Sequence, residues 1–257
     1  MFAKERQDKI HEMLSKNGAV TTAHLVKSFG VSIETIRRDL LFMEQQRLLK
    51  RVHGGAVTIG EMKPLFNLEK RNGEYNKQKS ELSKKAAEFV REGDIIGIDT
   101  GSTAILFAEA LKERFTRLTV ITHCLDVFEI LKDYKDFSVI LCGGQYMKGE
   151  NAFYGALTLD ILDKLHIQKA FIFPTAVSIK FGICDYQNDL YQIQKKMKEC
   201  ADDIYILADS SKFEKNALLK LDDMKIEYNY ITDSLLSEEL KKLYEQNNIR
   251  IFTGGNN

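Results

Sequence analysis

The 257-residue sequence predicts an α/β protein in two parts: a small helical head that closes in a hairpin, and a larger, mostly parallel sheet flanked by helices. Three observations lead there. Residues 1–58 hold helix-length segments punctuated by Asn17-Gly18 and Gly30, then two short β runs meeting at Gly54-Gly55. From residue 77 onward, short β-rich runs alternate with helical segments. Charge is also unevenly spread. Ten Lys/Arg against six Asp/Glu in residues 1–60 give a net +4, so the neutral chain carries −4 on the remainder.

Within the head, residues 3–16 form a polar helix whose apolar members, Ile10, Met13 and Leu14, fall at helical spacing. Thr21 or Thr22 caps a second helix over 22–29, with Leu25, Val26 and Phe29 inward. Gly30 makes a tight turn, and Ser32 caps a third helix over about 32–46. Residues 47–58, RLLKRVHGGAVT, form two strands. Helix, turn, capped helix and basic hairpin make a winged helix-turn-helix, expected to bind double-stranded DNA. On the third helix, Ile33, Ile36, Leu40 and Met43 share one side facing the core. Arg38 lies nearly opposite, flanked by Glu34 and Thr35, while Arg37 sits near the core boundary. Arg38 is the candidate for a base edge, since a bidentate arginine on guanine is the commonest specific contact. Arg37 is expected to meet a phosphate or an acidic neighbour. Ser32 lies at the helix N-terminus, which favours a phosphate. Lys50, Arg51 and His53 on the hairpin are expected to reach backbone or minor groove.

Residues 59–76, with Pro64 and Gly73, lack periodicity and are expected to be a linker. The second domain, 77–257, opens with a helix over 78–91. Its β runs are DIIGID (94–99), LTVIT (118–122), SVILC (138–142), AFIF (170–173), IYILA (204–208), YNYIT (228–232) and IRIF (249–252). In an open α/β sheet, ligands bind beyond the carboxyl ends of the strands. The first run ends in Asp99-Thr100-Gly101-Ser102-Thr103 before a helix over 104–114, an arrangement suited to an anion. Neither a Walker A loop nor G-x-G-x-x-G is present. Further strand ends bring His123, Gly143-Gly144 and Asp209-Ser210-Ser211-Lys212 to the same edge, with Lys212 able to reach an anion.

These segments together resemble the DeoR family of bacterial regulators. In the head the resemblance rests on Gly18, Val20, Leu25, Val31-Ser32, Thr35 to Leu40, Leu49, Arg51 and His53 to Ala56. In the second domain it rests on Asp99 to Thr103, Gly143-Gly144, Gly155 and Asp209 to Lys212. It implies a repressor binding operator DNA, with a sensor domain similar in fold to ribose-5-phosphate isomerase and the CoA transferases. It further implies a phosphorylated sugar effector, for which the candidate residues are Asp99, Gly101, Ser102, Thr103, His123, Gly143, Gly144, Asp209 and Lys212. The sequence departs from the family pattern at His123, Met147, Ala152, Phe173, Ala176 and Leu190, which points to an unusual effector or weakened effector binding.

Two other readings stay open. One is a regulator that acts without effector. The other is a sugar-phosphate isomerase, for which Asp99 and Asp209 are available carboxylates but no dedicated acid–base pair stands out. The four scattered cysteines read as reduced thiols of a cytoplasmic protein, with no signal peptide or membrane span. No metal or cofactor is implied. Pairing two heads on two half-sites predicts a homodimer or homotetramer assembled through residues 77–257.

Overall fold

A computed structural model describes residues 3–17, 19–46, 48–52, 54–58 and 68–255. The chain divides into two compact units, residues 1–65 and 66–257.

In the first unit, α1 (Ala3–Asn17) leads through β1 (Ala19–Thr21) into α2 (Thr22–Phe29) and α3 (Ile33–Gln45). The hairpin β2 (Leu49–Val52) and β3 (Gly55–Thr58) follows, and β3 pairs antiparallel with both β1 and β2. The third strand, β1, is an addition to the expected hairpin; three residues show no alternation that a sequence reading can detect. The local signals explain the helix bounds. The Thr21 hydroxyl accepts from His24 N–H at 3.2 Å, Gly30 ends α2 in the left-handed region at φ 63°, and the Ser32 hydroxyl accepts from Thr35 N–H at 3.2 Å. Ile10, Leu14, Leu25, Ile36, Leu40, Met43 and Leu49 fill the small core. Ile33, expected inward, is instead 45% exposed. The buried stripe of α3 runs through Ile36, Asp39, Leu40 and Met43, and the first turn projects beyond it. Asp39 belongs to that stripe because Arg6 and Gln7 of α1 both donate to its carboxylate.

The second unit opens with α4 (Leu68–Gly73) and α5 (Asn76–Ala87). The stretch expected as linker therefore contains a helix, and the following helix begins at 76 rather than 78. Residues 59–67 of that expected linker lie outside the described residues. Then come β4 (Ile95–Ile98), α6 (Ser102–Arg114), β5 (Thr119–Thr122), α7 (Leu125–Leu131) and β6 (Ser138–Leu141). A hairpin of β7 (Gln145–Met147) and β8 (Ala152–Tyr154) precedes α8 (Ala156–Leu162) and β9 (Ile167–Ile172). The chain continues through β10 (Ala176–Ser178), β11 (Gly182–Asp185), α9 (Asn188–Glu199), β12 (Ala201–Leu207) and β13 (Leu219–Asp222). It closes with β14 (Asn229–Thr232), α10 (Glu238–Gln246) and β15 (Ile251–Thr253).

The main sheet has seven strands in the order β15-β14-β12-β9-β4-β5-β6, every pair parallel. The chain fills one side outward from β4 and the other outward from β9. The order therefore reverses between these two strands, and the crevice beyond their carboxyl ends is the place such sheets offer a ligand. Two apolar clusters cover the two faces. One gathers Leu82, Phe107, Leu111 and Phe171, and the other Ile172, Ile193, Ile206 and Tyr230. Among the described residues, no helix is long and apolar enough to cross a membrane.

Candidate nucleic-acid interface and effector site

On α3 the two arginines differ in what holds them. Arg37 donates to Glu34 at 2.7 Å, one turn back, with both side chains more than half exposed. Arg37 thus lies in solvent rather than near the core boundary; the rotated stripe leaves that face open. Arg38 is exposed and makes no ion pair among the described residues. It borders a groove of about 690 Å³ between α1 and α3, with Lys4, Gln7, Phe42 and Leu48. Ser32 and Thr35 face each other through their hydroxyls at 2.9 Å, so the cap already engages two expected DNA contacts. Arg51 lies on β2, where its backbone N–H donates to Glu44 at 2.7 Å and its side chain stands 3.9 Å from the same carboxylate. Lys50 is placed on β2 by its backbone. His53 lies outside the described residues.

In the second unit, the loop after β4 is built around Asp99, which is fully buried. One carboxylate oxygen faces His123 Nε2 at 3.0 Å; the other accepts from Phe173 N–H at 3.2 Å and Gln194 Nε2 at 3.0 Å. Asp99 therefore ties the end of β4 to the end of β9 across the crevice. His123 is buried too, with Nδ1 2.8 Å from the Phe153 carbonyl. Both ring nitrogens thus have an oxygen within hydrogen-bonding distance. Asp99 and His123, both expected to meet the effector, are also what holds the loop.

That loop ends at Gly101, with φ 130°, which caps α6 without a side chain. Ser102 and Thr103 form the first helical turn, two residues earlier than expected, so their backbone N–H groups sit at the open positive end of the helix. Gly144 has a packing reason: a Cβ there would lie 2.2 Å from Thr158 Oγ1 and 2.6 Å from the Tyr154 carbonyl. The neighbouring Gly143 carbonyl accepts from the Thr158 hydroxyl at 3.1 Å. Asp209 caps the short turn 210–212 by accepting from Ser211 N–H at 3.1 Å. Lys212 donates to the Pro174 carbonyl at 2.9 Å, reaching from the end of β12 over the end of β9.

Five residues of this constellation escaped the sequence reading. Arg71 on α4 forms an ion pair with the buried Glu150. Lys79 on α5 is buried and donates to the carbonyls of Arg71 and Glu74, both at 2.6 Å. Gln194 donates at 3.0 Å to Asp185 as well as to Asp99, bridging two carboxylates through one amide nitrogen. Of the five, only Asp185 carried a detectable signal, since GICD ends a short β run in Asp as DIIGID does. The electrostatics are tense. Burial, with Lys212 adding repulsion, lowers the Lys79 amine to about 8. Burial also lowers the Lys212 amine, against the pull of Asp209. The carboxyls of Glu150 and Asp185 are both pushed up by burial. Three cations and several carboxylates thus share a poorly solvated edge beside an open helix N-terminus. All four cysteines are free thiols, and burial pushes Cys142 up to about 12, far from a reactive thiolate.

Residues 6–61 match the DeoR-like helix-turn-helix domain, and residues 74–234 match the DeoR C terminal sensor domain. A lactose phosphotransferase system repressor from Streptococcus mutans is 34% identical over 95% of this chain and 97% of its own. An L-fucose operon activator from Haemophilus influenzae is 32% identical over the same shares, 95% and 97%. Among solved structures, ribose 5 phosphate isomerase A from Neisseria gonorrhoeae is 22% identical, with a TM-score of 0.40 over 52% of each chain.

Proposed function

The chain belongs to the DeoR family of transcriptional regulators, and on that premise we propose that it represses a carbohydrate operon under the control of a phosphorylated sugar bound between the ends of β4 and β9. The observation that carries the effector reading is the convergence of Arg71, Lys79 and Lys212 beside the Gly101–Thr103 turn. Two of these cations have amines depressed by burial. A phosphate there relieves the repulsion among them and accepts from the open N–H groups of α6. Named relatives include both a repressor and an activator of sugar operons, which supports a sugar signal more strongly than it supports repression.

The site is read as binding without turnover. Asp99 accepts from Phe173 N–H and Gln194 Nε2 and faces His123 Nε2, contacts that hold it in the loop rather than free it to act as a base. The family's helix-turn-helix reads DNA, and Arg38 with the hairpin cations supplies the contacts. One head makes few contacts, so two copies on paired half-sites are expected, joined through residues 77–257. Light scattering on the purified chain tests this; a monomer at micromolar concentration overturns it.

The effector reading is tested by thermal unfolding of the full chain against five- and six-carbon sugar phosphates and their unphosphorylated parents. A binding phosphate is expected to raise Tm and change the affinity for operator DNA, and Lys212→Ala is expected to lose both effects. If no phosphorylated sugar shifts Tm, the chain regulates without effector. If purified protein interconverts aldose and ketose phosphates and Lys212→Ala does not, the site is catalytic.

A further inference from the structure

We infer that Glu150 and Gln194 form a hydroxyl-reading subsite beside the phosphate cradle, so that the effector is a polyhydroxylated phosphate recognised by its hydroxyl hydrogens as well as by its charge. This rests on the effector reading above. The inference starts from atoms that the fold buries and leaves without partners. Glu150 Oε1 and Gln194 Oε1 are both buried with no hydrogen bond among the described residues, in residues that are 2% and 1% exposed. Arg71 Nε is likewise buried without an acceptor among the described residues. Such atoms are rare in folded proteins, because each costs the desolvation of a polar group with no return.

Their surroundings fix what they are able to take. Gln194 cannot turn its amide over, since Nε2 is held between the carboxylates of Asp99 and Asp185, each at 3.0 Å. The orphan is therefore an acceptor. Glu150 gives one oxygen to Arg71 and keeps the other as a second acceptor. Both residues are tied to the loop that follows β4. The Thr100 hydroxyl, one residue from the open turn, donates to the Glu150 carbonyl at 3.1 Å, and Gln194 is bonded to Asp99 itself. The edge thus offers cations for a phosphate and, beside them, two acceptors for donors. Sugar hydroxyls match this pattern, with Arg71 Nε free to bond a hydroxyl or ring oxygen in return. A simple alkyl phosphate satisfies the cations and leaves both acceptors buried and unpaired.

The test measures affinities of the full wild-type chain by calorimetry for four probe classes: aldose phosphates, ketose phosphates, polyol phosphates, and hydroxyl-free alkyl phosphates of equal carbon count. Inorganic phosphate serves as the charge-only reference. At least one hydroxyl-bearing phosphate is expected to bind roughly tenfold or more tightly than its alkyl counterpart, as sites built around a substrate hydroxyl discriminate against analogues lacking it. Glu150→Gln is expected to shrink that ratio, and a ratio unchanged in a folded Glu150→Gln would overturn the assignment to Glu150. Alkyl phosphates that bind as tightly as every sugar phosphate would overturn the hydroxyl subsite and leave the phosphate reading standing. Failure of every phosphate to bind overturns both. The wild-type series decides the question even if Glu150→Gln does not fold.

Discussion

Arg37 and Arg38 adjoin in sequence, yet the structure gives them different surroundings. Arg37 is balanced by Glu34 across one helical turn, an exposed pair of the kind that contributes little to stability. Arg38 has no such partner among the described residues and keeps its guanidinium available. Bringing Arg37 onto a phosphate means breaking its pair first, whereas Arg38 meets a guanine at no such cost. Arg38→Ala is therefore expected to cost about 1–3 kcal/mol per half-site and to relax base preference at one position. Arg37→Ala should weaken all sequences by a smaller and uniform amount. Binding isotherms on operator duplexes with single base-pair changes separate the two; equal loss of preference in both variants sinks the assignment. The available arginine was legible from the helical wheel, but the pairing of the other was left open. Asp39 shows why side-chain detail resists such a reading. Its burial depends on Arg6 and Gln7, more than thirty positions away.

Elements governed by local chemistry were readable from the chain. The caps at Thr21 and Ser32, the left-handed Gly30 and the apolar runs of the seven parallel strands all act within a few residues of themselves. Elements held by distant partners were not. Helix α4 is six residues long, too short to be stable by propensity alone, and its Arg71 is anchored to Glu150 from 79 positions away. Strands β7, β8 and β10 have three residues each, below the length at which alternation means anything. The double glycine after β6 was visible as a motif, but its reason was not. Gly144 permits β8 and the first turn of α8 to approach the strand end, and an added methyl meets backbone as well as a side chain. Gly144→Ala is expected to destabilise the second unit by about 1–3 kcal/mol through overpacking, seen as a lowered Tm. Gly143→Ala, with nothing within 4 Å of its Cβ, is the control and should change Tm little. Equal effects at the two positions would remove the close-packing explanation.

For the whole molecule, the deciding quantity is the charge held at the sheet edge, and pH reports on it. The Lys79 amine falls from 10.5 in an unfolded chain to about 8 in the fold, with burial the main cause and Lys212 the second. Between these values the folded chain binds fewer protons than the unfolded one. Without ligand, stability therefore rises with pH from about 8 towards 10, by at most about 3 kcal/mol from this group. A phosphate bound beside Lys79, Lys212 and Arg71 reverses the cause by supplying the missing negative charge and pulling the amines back up. Binding near pH 8 should then take up protons, and affinity should fall as pH rises through that value, by up to about tenfold per unit for each proton taken up. The second phosphate ionisation lies near 6, well below this window, so the ligand's own charge is constant across it. Calorimetry of the full chain in two buffers of different ionisation enthalpy measures the uptake directly. Lys79→Arg keeps its charge at every pH in the window, so it should reduce the uptake while preserving binding. A phosphorylated sugar that binds at pH 8 with no proton uptake, and with an affinity flat from pH 7 to 9, would place the phosphate away from these cations.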